Sequence, residues 1–583
     1  MTRPHRSRPR RHPGPPDRRG AGRPDAGALR GDSDALAARL RELDGAGYGA
    51  YKGLAGHWRM DGFDLQVRSV QSDPFAPPSR LRVTVPAATA GLPAALYAGP
   101  VRARAASGFL ARALRGALGG TGLRVDAGGQ EVLERSALRV EADGTVVAEL
   151  AVPLPGRGRR IAGHAAAEAL TADLPRAVRT ALRWESADRG AAEDFVTTVQ
   201  DAGALRDALA GRGLVAFVAD GAVLPRASGV DDRPLAGAVP FAAPESLRVT
   251  LDTPNRGPVT GMGVPEGVTL IVGGGYHGKS TLLRALETGV YDHVPGDGRE
   301  LVVARADVVS VRAEDERAVT RVDVRAFVAD LPSGRPTGDF STESASGSTS
   351  QAASTVEALE AGAGVLLIDE DTSATNVMIR DERMRALIAA EPLIPFVDRV
   401  RPLHRGRGVS SVLVMGGSGD YLDRADTVIL LQDYAVSEIT ARAREIAGYA
   451  DEAADVAFPG HRHRVFDPRS VDPHARGRRR VSARERGRLT FGADDVDLSA
   501  VAQLADASQT TGVGLALAHL DLDGVPLAVA LDRLEEDLVR GGPAAIAHGS
   551  LADLAVPRRH EVAAALNRLR AARVAGHAEN SQM

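Results

Sequence analysis

Hydrophobic and polar positions in the first third of the chain follow both helical and strand periodicities. The apolar spacing of residues 34–47, "DALAARLRELDGAG", predicts a short helix that ends at glycine. Residues 80–86 and 145–155 alternate apolar and polar side chains and predict strands, whereas residues 164–184 have a helical composition. We therefore predict an α/β amino-terminal domain over residues 34–187, ending in the polar run "SADRGAAED".

The middle third repeats short apolar runs that end in glycine or aspartate and lead into helical patterns. These runs are "GLVAFVAD", "GVTLIVGGG", "GVLLIDED" and "VSSVLVMGGSGD". Uninterrupted Val, Ile and Leu segments of this length are typical of parallel strands that are covered on both faces. The pattern predicts an α/β domain with a parallel sheet over residues 188–450.

Both ends of the chain depart from this pattern. Residues 1–33 are rich in Arg, Pro and Gly, which predicts a disordered basic tail that is either dispensable or an arm that binds nucleic acid. After residue 450 the periodicity dissolves into the Arg-rich run "FPGHRHRVFDPRSVDPHARGRRRVSARERGRL". Helical patterns then return, so residues 451–583 are predicted to be a basic linker and a mainly helical carboxy-terminal domain.

Composition narrows the class of protein. At 583 residues with 44% hydrophobic and 25% charged residues, the chain has the balance of a soluble protein with several domains. It has no cysteine, which excludes disulfides and thiolate metal sites and suits a reducing cytoplasm. No apolar run is long enough to span a bilayer, and no secretory signal is expected. We therefore predict a cytoplasmic protein without a membrane partner.

The strongest motif is "GGGYHGKS", which matches the phosphate loop G-x-x-x-x-G-K-[ST] between an apolar strand and a helix. Lys279 is one of only two lysines in a chain that otherwise uses arginine, and a narrow glycine loop accepts an ammonium better than a broad guanidinium. Backbone N–H groups would hold phosphate, Lys279 would reach its outer oxygens, and Ser280 would bind Mg²⁺. The predicted nucleotide-binding residues are Gly273, Gly274, Gly275, Tyr276, His277, Gly278, Lys279, Ser280 and Thr281.

Two further segments fit the same chemistry. In "LLIDED", Asp369 ends an apolar strand and is placed to hold Mg²⁺ through water, and Glu370 is placed to act as the general base. Ser346, Gly347 and Ser348 open a predicted helix about twenty residues earlier, and a helix of this kind offers a second anion site. The predicted cofactors are ATP and Mg²⁺, with Glu370 and Lys279 as catalytic residues.

The order of phosphate loop, Ser-Gly helix start and strand-Asp-Glu resembles the ABC class of ATPases. The segments "IVGGGYHGKSTLLRALETGVYDHVPGDGRE", "FSTESASGSTSQAA" and "LLIDEDTSATNVMIRDERM" are similar to a soluble family of predicted ABC-class ATPases, over about residues 40–575. The resemblance implies a central P-loop NTPase domain of the ABC type with family-specific domains on both sides, in a protein that is not a transporter subunit. It also implies that the Ser346-Gly347 element of one chain caps the nucleotide of another.

The sequence departs from the general ABC pattern at three places. No glutamine occurs between Leu282 and Ser350, so the usual Q-loop residue is missing. The signature reads "ASGST" rather than Leu-Ser-Gly-Gly-Gln, and Gly417 or Ser418 stands where a switch histidine is usual. These departures question the rate of hydrolysis more than nucleotide binding; His277 is either a substitute sensor or a loop residue without a special role.

Basic residues suggest a second activity. Ten arginines stand against three acids in residues 461–490, and Arg157, Arg159 and Arg160 form another group. Such clusters bind phosphate backbones or form solvated surfaces. Lys52, the second lysine, either contacts phosphate or has persisted by chance.

Each chain has one phosphate loop and one signature element, so two chains are needed to complete two composite sites. We therefore predict an ATP-hydrolysing homodimer with two-fold symmetry. The alternative is an RNA-binding protein in which ATP mainly stabilises the dimer. A small-molecule P-loop kinase would leave the signature helix without a role.

Overall fold

The computed structural model describes residues 29–388, 390–448 and 457–578. The amino-terminal elements are β1 (Leu29–Asp32), α1 (Ser33–Glu42), β2 (Gly56–Met60), β3 (Phe63–Ser69), β4 (Ser79–Val85), α2 (Ala87–Ala90), α3 (Pro100–Ala117), β5 (Glu131–Val132), β6 (Leu138–Val140), β7 (Val146–Val152), β8 (Gly156–Arg157), β9 (Arg160–Ile161), α4 (Gly163–Glu168) and α5 (Leu174–Leu182). The predicted helices and strands of this region are therefore confirmed.

The amino-terminal sheet has the order β1-β2-β3-β4-β7-β6. Alternate residues of β4, such as Leu81 and Val83, are fully buried beneath α3, where Leu110 and Leu114 belong to the same core. Residues 29–32, which we assigned to the basic tail, are instead β1, which pairs in parallel with β2. The Asp32 side chain then caps α1 by accepting from Ala35 N. The prediction of a disordered tail for residues 1–28 lies outside the described residues.

The middle region begins with a long helix and continues through two sheets. Its elements are α6 (Arg189–Gly211), β10 (Leu214–Ala219), β11 (Arg226–Ser228), β12 (Asp231–Pro234), β13 (Arg248–Thr253), β14 (Gly257–Pro265), β15 (Val268–Val272), α7 (Lys279–Thr288), β16 (Asp292–His293), β17 (Val302–Ala304), β18 (Val308–Ser310), β19 (Arg317–Val322), β20 (Phe340–Ala345), α8 (Gly347–Glu360), β21 (Val365–Asp369), α9 (Thr375–Met378), α10 (Glu382–Leu387), α11 (Val400–Arg407), β22 (Ser410–Met415), β23 (Thr427–Gln432), β24 (Ala435–Glu438) and α12 (Thr440–Ala447).

The central sheet has the order β18-β21-β22-β15-β23-β24, and its first five strands are parallel. This confirms the predicted parallel sheet, and the carboxyl ends of β15, β21 and β22 meet at one edge. The segment "GLVAFVAD" was expected in the same sheet, and that expectation is wrong. It forms β10, which pairs antiparallel with β14 and β17 in a second sheet. An apolar run buried on both faces has the same periodicity in either kind of sheet.

The carboxy-terminal elements mix strands and helices. They are β25 (His463–Phe466), β26 (His474–Ala475), β27 (Arg478–Arg479), β28 (Val481–Glu485), β29 (Arg488–Phe491), β30 (Asp494–Asp497), α13 (Ala507–Leu517), α14 (Leu527–Gly541), α15 (Pro543–Ala547), α16 (Arg559–Arg568) and β31 (Val574–Ala578). The helices hold most of the regular structure, as predicted. The Arg-rich run that we interpreted as a linker is folded into β25–β29, because alternate residues such as Leu489 and Phe491 are buried in the core of this region.

Ion pairs join the carboxy-terminal region to the rest of the chain. Arg135 binds both Asp126 and Asp506, and Arg80 binds Asp553 at 2.6 Å. In the described part of the chain, no helix is long and apolar enough to cross a membrane.

Candidate nucleotide site

The loop between β15 and α7 has the backbone conformation that a phosphate cradle requires. Gly273 has φ 150° and Gly278 has φ 98°, in the region that favours glycine. A Cβ atom on Gly273 would lie 2.3 Å from the carbonyl oxygen of Leu431, so no side chain fits there. Tyr276 also has a positive φ, 63°, and its side chain is fully exposed. Position 273 therefore accepts only glycine, and position 278 favours it.

Lys279 is the first residue of α7, and its side chain folds back over the loop. Its Nζ atom donates to the carbonyl oxygens of Gly273 at 2.7 Å and Gly274 at 2.9 Å. The ammonium thus lies over the concave side of the loop, where an anionic ligand would replace the carbonyl contacts. His277 ties the loop to the turn after β23, because its Nδ1 accepts a hydrogen bond from Asp433 N at 2.7 Å. Its ring also lies against Gly274, so both interpretations of His277 stay predictions.

Asp369 ends β21 beside the start of α7. Burial raises the pKa of the Asp369 carboxyl above its ordinary value, and a hydrogen bond from Ser280 partly opposes this shift. The two predicted Mg²⁺ ligands are therefore neighbours, and both offer oxygen, the donor that Mg²⁺ prefers.

Glu370 is held by the segment that follows β22. The sequence analysis noted this segment only because it lacks the usual switch histidine. Glu370 Oε2 accepts from the amides of Gly416 at 2.6 Å and Gly417 at 2.9 Å, just after β22. A Cβ atom on Gly417 would lie 3.0 Å from Glu370 Oε1, and one on Gly416 would lie 3.5 Å from Lys279 Nζ. The glycines thus allow a close approach of the backbone and orient the carboxylate. The two consecutive glycines after an apolar strand were the sequence feature that could have predicted this contact.

Ser346, Gly347 and Ser348 form the start of α8. Ser346 is its N-cap residue, and Ser346 Oγ accepts from Thr349 N at 3.4 Å. Gly347 N donates to Asp315 Oδ1 at 2.8 Å, and Ser348 Oγ donates to Asn376 Oδ1 at 2.6 Å. None of these partners belongs to the phosphate loop. Within one chain, the structure therefore brings together the loop, Asp369 and Glu370, whereas the signature residues bond elsewhere.

Gln351, a buried residue that sequence reasoning did not select, joins α8 to the segment after Glu370. Its Oε1 accepts from Ala374 N at 2.8 Å, and its Nε2 donates to Ser373 Oγ at 3.0 Å. The signature helix and the strand that ends at Asp369 are therefore connected through one side chain.

A cleft of about 860 Å³ opens over the phosphate loop. Loop residues Gly275, Tyr276 and Gly278 to Thr281 form its floor, and the remaining walls are mainly apolar, with one carboxylate. The wall residues that the sequence did not single out are Leu224, Pro225, Leu235, Gly237, Ala238, Val239, Phe241, Asp371, Leu431, Tyr434 and Val436. Tyr434 is 54% exposed and Val239 is 57% exposed. Apolar side chains beside a phosphate cradle suit the base and ribose of a nucleotide.

The basic residues are in two different situations. The segment Tyr48–Leu54, which contains Lys52, packs on the β8–β9 hairpin: Tyr48 N donates to Arg159 O at 3.0 Å. Lys52, Arg157 and Arg159 are exposed, as is Arg160. Arg464, by contrast, is only 1% exposed and binds the buried Glu360 at 2.5 Å. The prediction that the 461–490 arginines form one solvent-facing cluster is therefore wrong for Arg464, because its charge is neutralised inside the protein.

Family models match three parts of the chain. The P-loop domain of the ABC ATPases matches residues 188–461, and the model described as the N-terminal part of the ATPases of the ABC class matches residues 33–185. A third model, the MRB1590 C-terminal domain, matches residues 480–575.

Individual proteins are more distant. The chain is 29% identical over 264 residues to an uncharacterized protein of Methanocaldococcus jannaschii, covering 43% of this chain and 58% of that protein. Among solved structures, an ATP-bound bacterial Atm1-family ABC exporter is 17% identical, with 41% and 43% coverage and a TM-score of 0.23. An ADP-bound ATP-binding cassette of an ABC transporter is 11% identical, with 33% and 88% coverage and a TM-score of 0.23. The likeness to single proteins is thus weaker than that to the family models, which together span most of the described residues. The chain belongs to the ABC-class ATPases, and its P-loop domain lies between the N-terminal domain of that class and a separate C-terminal domain.

Proposed function

We propose that this protein is a cytoplasmic, non-transporter ATPase that binds ATP with Mg²⁺ and hydrolyses it as a homodimer. The observation that supports it most is the meeting of Lys279, Asp369 and Glu370 at one edge of the central sheet. Lys279 would leave the carbonyl oxygens of Gly273 and Gly274 to neutralise the outer phosphates.

Ser280 and Asp369 would hold the metal, the latter through water. Mg²⁺, when bound there, neutralises charge between the phosphates. The raised pKa of Asp369 fits this role, because a carboxylate destabilised by burial gains most from a neighbouring cation.

Glu370 would be the general base. Its Oε2 is engaged by the two glycine amides, which leaves Oε1 to accept a proton from the attacking water. This arrangement also gives an alternative to the missing histidine, because backbone amides hold the carboxylate in place.

The position of α8 supports the proposal of a homodimer. Ser346, Gly347 and Ser348 bond to residues outside the phosphate loop of their own chain, so a second copy would supply them to complete each site. A head-to-tail pair with two-fold symmetry would form two such composite sites.

The test compares wild type with Glu370→Gln. We expect steady-state phosphate release to fall by at least about 100-fold, because a general base contributes that much, while ATP produces a stable dimer visible by light scattering. A wild type without turnover above background, with or without RNA, would refute hydrolysis. ATP binding by a protein that remains a monomer and phosphorylates a small acceptor would support a kinase instead.

A second candidate activity, RNA binding, is favoured by the contact between the Lys52 segment and the β8–β9 hairpin. Lys52, Arg157, Arg159 and Arg160 form one exposed basic surface, and Tyr51 beneath it is fully buried. No ion pair with a described residue neutralises these four side chains, so the surface presents an uncompensated charge to a phosphate backbone.

Binding of labelled single-stranded RNA, measured at several salt concentrations, tests this activity. Alanine at Arg157 and Arg159 should weaken binding and reduce the salt dependence by about two phosphate contacts. Alanine at Arg176 and Arg179, which removes two exposed arginines elsewhere in the same region, is the matched control. Equal loss in both variants would attribute binding to net charge alone, and absence of copurified nucleic acid by the 260/280 ratio would argue against it.

A further inference from the structure

The loop before β19 lies across the first turn of the signature helix. Gly347 N donates to Asp315 Oδ1 at 2.8 Å. Glu314 N donates to Ser350 Oγ at 2.9 Å, and Ser350 Oγ donates in turn to Gly347 O at 2.9 Å. Residues 314 and 315 are therefore bonded to α8 through both backbone and side chains.

Asp315 accepts from Gly347 N, an amide at the start of α8 that could also donate to a bound anion. The first N–H groups of a helix have no partner within the helix and favour negative charge. In α8 the Ser346 side chain accepts from Thr349 N, and the Asp315 carboxylate accepts from Gly347 N. In the proposed dimer, the terminal phosphate of the partner's ATP would require the same donor. Two anions then compete for one helix end.

The C-terminal region holds this loop in place. The Arg568 guanidinium, at the end of α16, forms an ion pair with the Glu314 carboxylate. Arg570 Nη2 donates to Glu316 O at 3.1 Å, and its Nη1 donates to Glu343 O at 3.0 Å. Two arginines of one region thus clamp the loop that contains Asp315 and the strand that leads into Ser346.

We propose that Asp315 is a built-in substitute for phosphate on the signature helix, which must withdraw before two chains close around ATP. The inference rests on the proposed dimeric ATPase. Asp315 is a positioning residue, since it acts through Gly347 rather than on the reacting atoms. The clamp by Arg568 and Arg570 sets how readily the loop withdraws.

The experiment is an ATP titration of dimer formation in the full chain with Glu370→Gln, followed by light scattering. Adding Asp315→Ala should lower the ATP concentration at half-maximal dimer by about fivefold, the upper range for one charge at an exposed helix end. Asp315→Asn, which keeps the size but removes the charge, should give a smaller shift in the same direction. Asp330→Ala is the matched control, because it removes an exposed carboxylate of the same domain without freeing Gly347 or touching the clamp arginines.

The outcomes separate this inference from the function on which it rests. If Glu370→Gln forms no dimer with ATP, with or without the Asp315 substitution, the dimeric ATPase itself is refuted. If the dimer forms and Asp315→Ala leaves the midpoint unchanged, or shifts it as Asp330→Ala does, the inference is overturned. ATP affinity measured on the isolated chain at low protein concentration should not change, because Asp315 bonds to Gly347 rather than to the phosphate loop.

Discussion

Replacement of Gly417 by alanine would test whether the backbone after β22 aims the general base. Alanine would place a Cβ atom 3.0 Å from Glu370 Oε1, closer than an ordinary contact between carbon and oxygen. The carboxylate or the loop must then move by a few tenths of an ångström. Either movement weakens the hydrogen bonds from Gly416 N and Gly417 N, which are 2.6 and 2.9 Å long.

A misplaced catalytic group loses rate steeply, so we expect kcat to fall about 10- to 100-fold, equivalent to about 1.4–2.7 kcal/mol in activation free energy. The assay is steady-state phosphate release at saturating ATP, with nucleotide affinity measured separately and expected to stay within about twofold. Gly419→Ala is the matched control in the same loop, because its Cβ would meet only Leu422 at an ordinary 3.5 Å. Wild-type kcat in the Gly417 variant, in a correctly folded protein, would refute the proposed role of the glycine amides.

Three further predictions concern the phosphate loop, the metal ligand and the buried arginine. Lys279→Arg should lose ATP binding at least tenfold although the charge remains, as measured by calorimetry; unchanged affinity would contradict the steric argument. Burial raises the pKa of Asp369, so ionisation of this carboxyl costs metal-free stability as pH rises through the raised pKa. Asp369→Asn should therefore raise the metal-free thermal midpoint at neutral pH, with a smaller effect in acid, and should abolish Mg²⁺-dependent turnover. Arg464→Met should destabilise the fold by about 3–5 kcal/mol by leaving Glu360 buried and unpaired, whereas adding Glu360→Leu should restore most of it in urea unfolding. Loss equal to that of the exposed Arg469→Ala would contradict this account.

Local sequence predicted the parts of the site that depend on a few adjacent residues. The strand β15, the glycine loop and the start of α7 are consecutive in the chain, so their pattern needs no distant partner to be recognised. The same holds for β21 and Asp369, since a buried strand must be apolar and must end where polar groups begin. The family resemblance rested on these short segments.

Contacts between distant segments escaped the sequence analysis. Gly416 and Gly417 meet Glu370 only because β22 lies beside β21 in the sheet. Asp315 reaches Gly347 from another loop, and the Lys52 segment meets the β8–β9 hairpin across about a hundred residues. The composition also led us to count Arg464 in a solvent-facing cluster. The sequence does not distinguish an arginine that faces water from one that is paired with a buried glutamate.

The sequence alone determined the phosphate loop, the order of the ATPase motifs along the chain and the class of ATPase. Each of these depends on residue types at fixed short spacings. The tertiary structure decided which amides orient Glu370, which carboxylate lies at the start of the signature helix and which arginines face solvent. Those features depend on distances between segments far apart in the chain, and the packing of the sheets and helices sets these distances.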